Sequence, residues 1–146
     1  MKLVPGDIIE LDNADGAIHV QVTHTHAAYP EVVRVLERDS GNQADGPMEL
    51  ASRDTRLVAM VALGAALESG KINGRKVGNV PLTGASRDFP VFRMPVKDKQ
   101  GNIAYWWFWD GDGLRYETDL SDEASAYPLR MTTSLEEFIR QAKMGR

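Results

Sequence analysis

Between Ile103 and Asp110 the chain reads IAYWWFWD, and its three tryptophans all fall between Trp106 and Trp109. A strand sends alternate side chains to opposite faces, so Ile103, Tyr105, Trp107 and Trp109 share one face while Ala104, Trp106 and Phe108 share the other. Both faces are apolar, and an exposed patch of that density would be a solubility liability unless something covered it. The run is therefore expected to be a central strand whose rings serve mainly as core. Lys97 to Asn102 before it and Asp110 to Gly113 after it read as turns. They place hairpin partners at Val91 to Val96 and Leu114 to Leu120, and Pro95 must then sit at an edge, a bulge or a strand end. The expected cover is the C-terminal helix on one face, through Phe138 and Ile139, and the remaining sheet on the other.

The rest of the chain reads as strands interrupted by one short helix. Asp7 to Leu11, Ala17 to His24 and Glu31 to Glu37 form an antiparallel meander, the first turn at Asn13-Ala14-Asp15-Gly16. In the second strand Ile18, Val20 and Val22 face inward and His19, Gln21 and Thr23 outward, the pattern of a half-buried strand. Arg38 to Pro47 reads as a loop. Arg56 to Leu67 fits either period; its Val-rich front suggests strand and its Ala-rich end a short helix closing near Ser69-Gly70. Gly74 to Pro90 is broken by Gly and Pro and reads as a long ordered connection. Ser134 with Glu137 forms a capping box, and Leu135, Phe138, Ile139 and Ala142 line one buried face of a terminal helix. The class is α+β and strand-rich: an antiparallel sheet or partial barrel with a C-terminal helix and one short internal helix.

A length of 146 residues suits one domain, 1–146, with a core that needs no staples. The chain has no cysteine, which excludes disulfides, zinc-thiolate sites and thiol nucleophiles. MKLVPGDIIELD lacks the apolar run of a signal peptide, and no segment reaches the ~20 apolar residues that cross a bilayer. A cytoplasmic protein with no membrane partner is expected. The net charge of -4 argues against nucleic acid as the main ligand. Locally, Lys71, Arg75, Lys76, Arg87, Arg93, Lys97 and Lys99 form a basic stretch, and Asp110, Asp112, Glu117, Asp119, Asp122 and Glu123 an acidic one.

No residue set argues for catalysis or a cofactor. His24 and His26 share a parity that could point two imidazoles at a metal, but Glu31 is the only nearby carboxylate and metal sites want three or four ligands, so no metal site is expected. Asp110-Gly111-Asp112-Gly113 fails as a calcium loop, because Leu114 and Arg115 stand where an oxygen ligand and Gly are needed. It reads as a turn. Nucleophile elbows, P-loops and dinucleotide fingerprints are missing.

The order Pro5-Gly6-Asp7-Ile8-Ile9-Glu10, Val33-Arg34-Val35, Gly78-Asn79-Val80-Pro81-Leu82, Phe89-Pro90-Val91-Phe92, Tyr105-Trp106-Trp107-Phe108-Trp109-Asp110-Gly111 and Leu129-Arg130 resembles the immunity protein 26 family. It departs from that pattern in having no Trp between Ile72 and Val77. The resemblance implies a non-catalytic partner that neutralises a cognate bacterial toxin domain. The acidic turn would then supply the docking surface, with Asp110, Asp112, Arg115, Glu117 and Asp119 as candidate partner-binding residues, steering a basic toxin. Two alternatives compete. One is an SH3-barrel-like nucleic-acid module or ribonuclease using residues 71–99, prompted by the Pro-Gly-Asp-Ile-Ile opening; the other is a sugar-binding module with one face of the Trp strand open.

Overall fold

The computed structural model describes residues 2–12, 16–26, 29–37, 46–87, 89–110, 113–118 and 134–143. The chain packs as two compact units, Met1–Thr83 with Thr132–Arg146, and Gly84–Met131. The first unit holds β1 (Asp7–Leu11), β2 (Ile18–His26), β3 (Tyr29–Leu36), α1 (Pro47–Ala51), β4 (Thr55–Met60), α2 (Leu63–Glu68), β5 (Gly74–Asn79) and α3 (Leu135–Lys143). Its sheet has the order β4-β3-β2-β1-β5, with every pairing antiparallel. The second unit holds a turn of 3-10 helix (Gly84–Arg87) and a sheet of β6 (Phe92–Lys97), β7 (Ile103–Trp109) and β8 (Leu114–Glu117). The class is α+β, as the sequence implies.

Register in the larger sheet follows hydrophobic parity. Ile9 pairs with Val20, and Val20 with Val35, so one face gathers Ile9, Leu11, Ile18, Val20, Val22, Val33, Val35 and Ala59. Leu63 of α2 and Phe138 and Ala142 of α3 pack into the same cluster. The opposite face carries Ile8 and Leu36 beneath Leu50 of α1. β2 is consequently not half-buried: Gln21 and Thr23 are 1% and 6% exposed. Burying such groups is tolerable only when they are hydrogen-bonded. Gln21 Nε2 donates to the Val80 carbonyl (3.0 Å), Thr23 Oγ1 donates to Val32 O (3.1 Å), and Gln21 Oε1 accepts from Arg34 Nε (2.8 Å). Arg34 further donates to Ala51 O (2.7 Å), Arg53 O (3.0 Å) and Thr55 Oγ1 (2.9 Å). It holds carbonyls at the C-terminal end of α1, where a cation is favoured. Burial pulls the Arg34 pKa down, and the charge of Asp54 opposes that shift.

Three further expectations need correction. Residues 74–79 are not part of a connection but the strand β5, which completes the sheet beside β1. A Cβ on Gly78 would lie 2.7 and 2.9 Å from Pro47 Cγ and Cβ, so its glycine marks close approach by α1 rather than a break. That helix, unread in the sequence, begins with Pro47 at its first position. The terminal helix starts as expected, with Ser134 Oγ accepting the Glu137 N–H at 3.1 Å. Its buried face, expected against the tryptophan strand, is instead filled by the core of the five-stranded sheet, where Phe138 and Ala142 pack. Its apolar stripe states only that it needs an apolar face. Arg56 of β4 fastens its far end by donating to the Ala142 carbonyl. Strand followed by helix across 56–67 is as read.

Candidate binding surface on the three-stranded sheet

β7 lies between β6 and β8, the central position its composition demands, and Pro95 sits on the edge strand β6 opposite Trp106. The β6–β7 turn is closed by Asp98 Oδ1, which accepts the N–H groups of Gln100 and Asn102, both at 2.9 Å. The β7–β8 turn is closed by Asp110 Oδ1, which accepts the Gly113 N–H at 2.9 Å. That pins Trp109 opposite Leu114, Phe108 opposite Arg115, Trp107 opposite Tyr116 and Trp106 opposite Glu117.

The two faces of this sheet differ. On one, Trp106 and Phe108 are buried, with the Arg93 guanidinium 5.0 Å from the Trp106 ring centre and that of Arg115 4.6 Å from Phe108. Both distances suit cation–π attraction. Arg115 also pairs with Glu117 at 3.1 Å. On the other face Tyr105, Trp107 and Tyr116 form an edge-to-face triangle with centroid separations of 6.1, 5.8 and 5.6 Å. Phe89, Phe92 and Trp109 form a second aromatic cluster. Tyr105, Trp107 and Trp109 are only half-buried, while Ile103, Leu114 and Tyr116 are 47%, 59% and 63% exposed. The rings are therefore partly core and partly surface. At the turn, Val91, Phe108, Asp110, Gly113, Leu114 and Arg115 line an open depression of about 230 Å³. That lies below the usual ~300–1,000 Å³ of small-molecule sites.

Of the expected partner-binding residues, Asp110, Arg115 and Glu117 are brought together at the exposed β7–β8 end of this sheet. Asp112 and Asp119 lie outside the described residues. The acidic character is muted where it is described, because the Asp110 carboxylate closes the turn and Glu117 faces Arg115. Ile103, already placed on the apolar face of the Trp strand, supplies the exposed apolar area together with two residues not singled out from the sequence, Leu114 and Tyr116. The signal for the latter two was the alternation Leu114-Arg115-Tyr116-Glu117, which puts apolar and charged side chains on opposite faces.

The basic stretch is partly neutralised: Arg75 Nε donates to Glu10 Oε1 at 3.2 Å, and Lys76 Nζ lies 3.4 Å from the buried Asp7 carboxylate. His19 Nε2 meets Glu10 Oε2 at 3.0 Å. Hydrogen bonding to His19, aided by Arg75, holds the Glu10 carboxyl below its ordinary range against opposing burial. The β2–β3 pairing shifts register between Val22 and His24 and again between His24 and His26, where the strand pair is irregular. Among the described residues no group of three or more His, Cys, Asp or Glu is placed to hold a metal ion. No described helix is long and apolar enough to cross a membrane. No family model, curated protein or solved structure matches the chain.

Proposed function

We propose that this chain is a cytoplasmic immunity protein that captures a cognate bacterial toxin domain without catalysis, using the three-stranded sheet as its docking surface. The observation that supports this most is the open apolar area of Ile103, Leu114 and Tyr116, set against half-buried Tyr105 and Trp107 and bordered by Arg115 and Glu117. Aromatic residues and Arg, held rigidly and rimmed by charge, are the composition of interface hot spots. The resemblance of the Trp strand to the immunity protein 26 pattern supplies the toxin as partner, and the net charge of -4 suits a basic one. The nucleic-acid reading is weaker, since Arg75 and Lys76 already face carboxylates. Coexpression with a toxin domain encoded beside this gene should yield a stable complex. Ile103→Asp and Leu114→Asp should each weaken it at least tenfold. Binding untouched by both substitutions would remove this sheet from the interface, and failure to form any complex would overturn the reading. RNA retention at low salt would favour the alternative.

A further inference from the structure

Among the described strands, the smaller sheet ends in β6 on one side and β8 on the other. Open strand edges invite pairing, and proteins commonly blunt them with Pro and charge. β6 is blunted, because Pro95 has no N–H to donate and Arg93 and Lys97 flank it. β8 contains no Pro, its two charges are of opposite sign and pair with each other, and all four of its residues are exposed. Its sequence also has a symmetry. Laid antiparallel against a second copy about Tyr116, the stretch Leu114-Arg115-Tyr116-Glu117-Thr118 sets Arg115 opposite the partner's Glu117 and Glu117 opposite the partner's Arg115. On the other face Tyr116 meets its own counterpart, so the Tyr105–Trp107–Tyr116 cluster would continue across the junction.

We propose that two copies of this chain associate through β8, antiparallel about a twofold axis at Tyr116, joining their three-stranded sheets edge to edge. A twofold contact must be complementary to itself, and the charge order Arg, Tyr, Glu meets that condition. Within one chain Arg115 and Glu117 pair along the strand with both side chains more than half exposed, an arrangement of small value in water. Across the junction the same charges face each other directly, as stabilising cross-strand pairs do. Strand addition supplies main-chain hydrogen bonds as well. Four residues a side is a small contact at the weak end of specific interfaces, so the dimer dissociates on dilution. This association goes beyond toxin capture and does not depend on it.

Sedimentation of the purified full chain over a dilution series should show a monomer–dimer equilibrium. Arg115→Glu and Glu117→Arg each place like charges across the junction and should weaken the dimer at least tenfold. The two combined restore the opposition and should restore the dimer, with circular dichroism confirming that each variant is folded. A second measurement exploits the absence of native cysteine. Residues directly opposite on antiparallel strands sit ~4.5–5.5 Å apart at Cα, a span a disulfide bridges. Mild oxidation of Tyr116→Cys should therefore give a covalent dimer, and Thr118→Cys should not. A monomer at every concentration, a dimer indifferent to the single reversals, or a folded double variant that stays monomeric would each overturn the proposal.

Discussion

Truncating Arg34 to Ala would leave the Gln21 side-chain oxygen and the Ala51 and Arg53 carbonyls without the donor that serves them. Stranding the buried Gln21 acceptor and the two half-buried carbonyls is costly, and the expected loss is about 3 kcal/mol in urea unfolding. Lys at the same position would keep the charge but lose the planar fork, and should recover only part of it. The surface carboxylates act through pH instead. Hydrogen bonds from Arg140 and then Gln141 hold Glu137 at a pKa of about 2. A carboxyl whose folded pKa lies below its unfolded value of ~4.3 contributes stability that is complete above that value and fades as pH falls through the folded one. Stability should thus decline from about pH 4.3 toward pH 2, and Glu137→Gln should flatten part of that slope in acid-titrated circular dichroism. Glu10, also shifted down, adds to the same acid limb, and Glu10→Gln should flatten a further part.

At the scale of elements, α1 depends on an absence. Gly78→Ala would drive a methyl into the ring of Pro47, and overpacking of this kind costs about 1–3 kcal/mol. Hydrogen exchange should show the loss concentrated in α1 and β5. Phe138→Ala should cost about 3–5 kcal/mol, because the ring is fully buried among Ile9, Val20, Val33 and their neighbours. These cases also mark where the sequence was readable. The capping box, the strand-to-helix change across 56–67 and the two hairpin turns flanking the Trp strand are local signals, written in adjacent residues, and each was read correctly. β5 and α1 were not, because Gly74 and Gly78 signal a break until Pro47 is known to lie over Gly78. Gln21 and Thr23 read as solvent-facing for a similar reason: polarity at alternate positions states a need for partners, and here Arg34 and the carbonyls of Gly6, Val80 and Val32 meet it in place of water. Asp110, Arg115 and Glu117 were legible as a turn with charge, whereas the exposure of Leu114 and Tyr116 depends on which strands flank β7.

At the scale of the whole molecule, the proposed capture of a basic toxin carries a rate prediction: with a net charge of -4, association should be faster at low salt and fall as ionic strength rises, while dissociation changes less. A salt-independent association rate would remove steering from the account. Arg34 has a consequence at this scale too. Its guanidinium reaches Gln21 of β2 on one side and Ala51 O, Arg53 O and Thr55 Oγ1 on the other, so all four bonds require that Arg34 lie on this face of the sheet. A slip of one residue would swing Arg34 toward the face of Val33 and Val35, where Ile9, Val20 and Phe138 offer no oxygen. The misaligned sheet would then carry an unpaired cation in its oily layer. The side chain that looks least suited to a core thereby proofreads the alignment of the strands around it.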